Sequence, residues 1–157
     1  MSDALTLYER AEIIDTCIQM AWCIDERRWE DLGELFAPTL VIDYTSIFGG
    51  EPRTITPADM VRTSQLLLGN LTSTQHIVSG HIVTGSANDA ECKSQVQATH
   101  LLANPSGDPA WTVGAQYYMK LRRLDGSWRI SAVRAVMLWA AGNREVMRLG
   151  KVRGQSA

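Results

Sequence analysis

The chain has 157 residues, 45% of them hydrophobic and 20% charged, with a formal charge of −2. That length and balance describe one folded domain able to bury a proper core, and they exclude a disordered chain. Basic residues are scattered, which argues against a dedicated nucleic-acid binder, although Arg144, Arg148, Lys151 and Arg153 make the C-terminal end locally basic. No apolar run approaches the roughly 18 residues of a membrane span, and the N-terminus lacks the basic-then-apolar order of a signal peptide. Cys17, Cys23 and Cys92 are odd in number and have no metal-ligand spacing. They are expected to be reduced thiols of a cytoplasmic protein, with Cys17 and Cys23 in the core.

Helices come first. From Ala4 to about Asp25 the apolar residues Leu7, Ala11, Ile14, Ile18, Ala21 and Trp22 recur at helical spacing, with Thr6 as a candidate N-cap. A short second helix over about 26–36 carries Trp29, Leu32, Leu35 and Phe36, and Pro38 ends it. Leu40, Val41 and Ile42 open a strand bearing Asp43 and Tyr44, and "GGEPRTITP" reads as a loop. Thr56 then caps a helix with Pro57 in its first turn, which ends near Gly69-Asn70. Strands follow at about 75–84, 90–103, 111–123 and 127–138, with a hairpin predicted at Asp125-Gly126. The stretch after Trp139 starts as a helix through Val146, Met147 and Leu149. The expected organisation is a single α+β domain over 1–142 and a partly helical or disordered tail over 143–157.

Alternation in the strands selects the side chains facing inward. In 90–103 the even positions Ala90, Cys92, Ser94, Val96, Ala98 and His100 form the inner series. In 111–123 it is the odd ones, Trp111, Val113, Ala115, Tyr117, Met119 and Leu121. In 127–138 the even positions Trp128, Ile130, Ala132, Val136 and Leu138 are apolar, which would turn Arg134 inward; His76 and His81 fall on opposite faces of their strand. The outer face, with Gln95, Gln97, Thr99, Thr112, Gln116 and Tyr118, is polar but weakly charged and suits contact between copies of the chain.

Each polar residue on the inner side has an ordinary explanation. A lone histidine on an apolar face is usually a hydrogen-bonded core residue, Tyr44 and Tyr117 can be strand packing, and Trp22, Trp29 and Trp128 read as core. Asp25 is less easily dismissed, because an acid at a helix C-terminus opposes the macrodipole. Together they suit an elimination β to a carbonyl, which needs a base for the α-proton, an acid for the leaving hydroxyl and a donor for the enolate oxygen. Histidine can take and return the proton. Asp25 is the available partner for His100 or His76, and Tyr44, joined by Tyr117, supplies neutral donors.

Asp25 precedes "ERRWEDLGELFAPTL", Tyr44 lies in "IDYTS", His76 in "STQH" and His100 in "QATH", and "DGSW" closes the last hairpin. With these motifs the chain, from about Tyr8 to Trp139, resembles the scytalone dehydratase branch of the SnoaL-like, nuclear-transport-factor-2-like superfamily. The resemblance implies a cone-shaped α+β barrel, N-terminal helices in the concave face of a curved, mainly antiparallel sheet, and a pocket needing no metal or organic cofactor. It also implies a homo-oligomer, trimer or dimer. It places Asp25, Tyr44, His76 and His100 on the family's pocket positions. Three positions depart from the family pattern: Ile24 stands where a second tyrosine is found, and Ala115 and Tyr117 stand for a serine and an asparagine.

The expected function is therefore a cofactor-independent lyase or isomerase acting on a small cyclic hydroxylated or carbonyl-bearing substrate. Catalysis falls to His76, His100, Asp25 and Tyr44, and binding to Tyr117, Ile24, Ala115, Val96 and Met119. The partner is that small molecule, not nucleic acid or membrane, in secondary-metabolite or xenobiotic metabolism. A polyketide cyclase or epoxide-opening relative, and a non-catalytic binding or assembly module, are the alternatives. Epoxide hydrolysis would call for two carboxylates bracketing an arginine.

Overall fold

A computed structural model describes residues 4–156. The chain folds in the order α1 (Leu7–Asp25), α2 (Trp29–Glu34), β1 (Phe36–Asp43), α3 (Thr45–Phe48), β2 (Arg53–Ile55), α4 (Pro57–Leu68), β3 (Ser73–Gly85), β4 (Asp89–Leu101), β5 (Ala110–Leu124), β6 (Ser127–Gly142) and α5 (Glu145–Gln155). The six strands form one sheet in the order β2-β1-β6-β5-β4-β3. All neighbours are antiparallel except β1 and β6. The helices pack on the inner side of this sheet, the α+β architecture expected from the sequence. No helix among the described residues is long and apolar enough to cross a membrane.

The local signals act where they were read. Thr6 and Thr56 each cap a helix in a reciprocal capping box, with Glu9 and Asp59 respectively, and Pro57 opens α4. Asp125 and Gly126 both take positive φ, 50° and 80°, as the tight turn between β5 and β6 requires. Pro38 does not end a helix. It lies inside β1, in the irregular stretch between the Phe36–Ile130 and Val41–Ala132 pairs, where the missing N–H costs no ladder bond. The expected loop after Tyr44 also contains structure, the one-turn α3 and the edge strand β2.

Three faces differ from the simple periodic reading. On α1 the buried stripe is Ile13, Cys17, Met20, Ala21 and Ile24. Leu7 is 88% and Trp22 57% exposed, so Trp22 is not core, whereas Trp128 is buried and Trp29 packs at the core's edge. The helix carries two overlapping apolar stripes, and contact with the sheet selects one.

On β6, Lys120 pairs with Ala132 but Leu121 with Ile130, so Ser131 is an extra residue. This bulge moves the inward series from Trp128 and Ile130 to Val133 and Ala135. Arg134 consequently points outward, its guanidinium 4.3 Å from the Tyr118 ring centroid. On β3, Gly80 and His81 together oppose Ser94, with Gly80 at φ 64°. That bulge brings His81 to the inward series with Val83, the same side as His76, and leaves His81 half-buried.

The three cysteines are free and buried. α5 seats Val146, Met147 and Gly150 in the interior, beside α4.

Candidate active site

Asp25 is the last residue of α1, where the helix dipole disfavours a negative charge. Three donors from β3 offset this. Thr74 Oγ1 (2.8 Å) and His76 Nδ1 (2.7 Å) donate to Oδ1, and the His76 backbone N–H donates to Oδ2 at 2.7 Å. Burial raises the carboxyl pKa, but the His76 and Thr74 bonds outweigh it and hold Asp25 below the usual range. An ionised carboxylate only accepts, so Nδ1 of His76 carries a proton, and in the neutral ring Nε2 is the atom with the lone pair. The Asp25 side chain is 19% exposed and that of His76 only 6%. Among the described residues nothing bonds that Nε2, and His76 lines the main cavity.

His100, on β4, is built differently. Its Nδ1 lies 3.1 Å from the carbonyl oxygen of Trp111, its cross-strand partner. A carbonyl cannot donate, so Nδ1–H is again the donor and Nε2 the free acceptor. Burial drives the His100 pKa down to about 4, against the carbonyl bond that favours the cation. This imidazole is neutral at physiological pH. The two histidine rings meet edge to face with centroids 6.0 Å apart. Thus the structure pairs Asp25 with His76 and gives His100 a backbone partner instead.

The cavity encloses about 600 Å³. Its walls include Ile24, Val96, Ala115 and Tyr117, as expected, and Tyr44. Tyr44 is not within the strand: β1 stops at Asp43, and Tyr44 is the residue preceding α3. Asp43 turns to its own loop, accepting from the Thr45 N–H at 3.1 Å and hydroxyl at 2.6 Å. Burial raises the Tyr44 phenol far above its ordinary value; burial, with Tyr44 and Asp25 nearby, does the same to Tyr117. Both are neutral hydroxyl donors. Met119 corrects the expectation: it does not line the cavity but is buried in the core, opposite Cys92 and Val133. Among the described residues no group of three or more His, Cys, Asp or Glu side chains is placed to hold a metal ion.

Residues 6–134 match the family model described as a SnoaL-like domain. The chain belongs to the SnoaL-like domain family. Its fold is similar to that of the Kfla4162 protein from Kribbella flavida, with TM-score 0.83 and 28% identity over 88% of this chain and 96% of that one. A putative scytalone dehydratase from Novosphingobium aromaticivorans shares the fold at TM-score 0.77 and 19% identity, over 88% of this chain and 89% of that one. A type 2 hexachlorocyclohexane dehydrochlorinase (LinA) does so at TM-score 0.74 and 19% identity, over 86% and 88%. No curated protein matches the sequence.

Several residues of this SnoaL-like site escaped the sequence reading. Thr74 could have been found, since it precedes His76 by two and must share its face. The helical wall could not. Met60 and Ser64 of α4 and Met147 of α5 reach the cavity only because both helices pack over the sheet. The mouth adds Arg53, Arg148 and Lys151, exposed cations far apart in sequence.

Proposed function

We propose that the protein is a cofactor-independent lyase that removes water from a small cyclic β-hydroxy carbonyl compound. The observation that carries this reading is the part-buried His76–Asp25 pair, with His76 Nε2 free of any protein partner among the described residues, in a cavity walled by two neutral phenols. His76 Nε2 takes the α-proton, and the C–H electrons become the enolate. Tyr44 and Tyr117 donate to the developing oxygen in a site partly shielded from water, where such bonds act most strongly. As the electrons return to form C=C, the C–O bond breaks and the His76 imidazolium gives its proton to the leaving oxygen, releasing water. Asp25 is a positioning residue that fixes the tautomer and stabilises the imidazolium. His100, neutral near pH 7 and so without a proton on Nε2 to give, accepts a hydrogen bond from a substrate hydroxyl.

The reading is supported by the family and by a fold shared with proteins described as a dehydratase and a dehydrochlorinase. We also take the enzyme to be a cytoplasmic homo-oligomer. Three free thiols and an outer sheet face exposing Ile77, Leu138 and Trp139 agree with that. Trp139 packs against Gly114, where any Cβ would clash with the indole ring.

The test uses β-hydroxytetralone, whose dehydration yields naphthol and is followed by absorbance. His76→Ala should lower kcat/KM by roughly 10²–10⁴-fold, and Tyr44→Phe by about 10²-fold, with thermal midpoints close to that of the parent. Full turnover in the folded His76→Ala variant refutes the mechanism.

A further inference from the structure

The floor of the cavity has its charges settled: Asp25 is bonded three times by β3, and His100 is neutral. The mouth does not. Arg53 of β2 and Arg148 and Lys151 of α5 all border it and are exposed, against a single acid there, Glu51. Arg148 is engaged, its Nε 2.7 Å from Glu145 Oε2. Arg53 and Lys151 have no partner among the described residues. Arg144, just before α5, spends its guanidinium on the Ile47 carbonyl at 2.6 Å and lies over the Trp111 ring. This lashes the start of α5 to α3. Two unpaired cations, from a strand and a helix that meet only in the fold, thus border the opening beside Glu51 and the engaged Arg148.

We infer that the substrate of this site carries a carboxylate, held at the cavity mouth by Arg53 and Lys151 while its ring enters between the phenols and histidines. The inference rests on the lyase reading for the chemistry, but on the mouth residues alone for the anion. An apolar pocket gains little selectivity from ring shape alone. A guanidinium and an ammonium add a charge criterion, since a carboxylate accepts from both and a neutral isostere does not. They also attract an anion from a distance, at a rate that falls with salt.

The test is calorimetric binding of naphthoate and of naphthamide, which share a ring and differ in charge. Naphthoate should bind about ten-fold more tightly at low ionic strength, as two exposed ion pairs allow. The preference should vanish in the Arg53→Gln/Lys151→Gln variant and shrink strongly at ~0.5 M NaCl, where screening is short-ranged. Naphthamide affinity should be the same in both proteins.

Equal affinity for the two compounds, a preference that survives the double substitution, or binding of neither compound overturns the inference. The lyase reading is judged separately. If His76→Ala keeps full turnover but naphthoate is still preferred through Arg53 and Lys151, the mechanism fails and the anion site stands.

Discussion

The floor and the mouth of the cavity are built on opposite principles. The floor is carried by α1 and by the long strands β3, β4 and β5, and each of its imidazoles is held through Nδ1 by an acceptor of the protein, leaving Nε2 without a protein partner at the cavity. The mouth is carried by the four-residue α3, the Gly49-Gly50 turn, the three-residue edge strand β2 and the exposed side of α5. A proton can be moved repeatedly only between groups whose geometry does not drift, so chemistry belongs on the sheet. Selection between substrates needs charge and reach, which long side chains on short elements provide.

The difference can be broken most severely at Asp25. In Asp25→Asn the amide can present its N–H to His76, forcing the other tautomer and removing the lone pair from the cavity. Turnover of β-hydroxytetralone should fall on the order of 10²–10⁴-fold, with KM little changed. A loss confined to KM would move Asp25 from the proton transfer to substrate binding.

The second break is at His100 and is read in stability. Its pKa is 6.5 unfolded and about 4 folded, so the folded state resists protonation. Stability is complete above pH 6.5 and falls as pH drops from there toward 4, by up to about 3 kcal/mol. Chemical denaturation across that window should show this slope, and His100→Gln should lose its share of it. A slope unchanged by the substitution would mean that His100 is not buried as a neutral ring.

The smallest effect sharpens the contrast. Arg148→Gln breaks an exposed ion pair with Glu145, both side chains half in water. It should alter stability by less than about 0.5 kcal/mol in thermal unfolding, whereas Ile13→Ala, fully enclosed beneath the floor, should cost about 2–5 kcal/mol.

Much of the floor was legible in the chain. The alternation of β4 and β5 placed His100 and Tyr117 inward because period-2 patterning survives wherever a strand is regular. It failed at the bulges: Ser131 turned Arg134 outward, and Gly80-His81 turned His81 inward, each by inserting one residue that no periodic count detects. On α1 the residue spacing allowed two stripes, and only packing chose Cys17 and Met20 over Leu7 and Trp22.

By itself, then, the sequence determined the capped helices, the hairpin turn and the inward placing of His100 and Tyr117, because these depend on neighbours within a few positions. The tertiary structure decided the rest. It gave Asp25 to His76 rather than His100, because the end of α1 meets Thr74 and His76 across 49 and 51 residues. It also gathered Arg53 and Lys151 at one opening. No local rule carries information over such distances; only the closure of the sheet over its helices does.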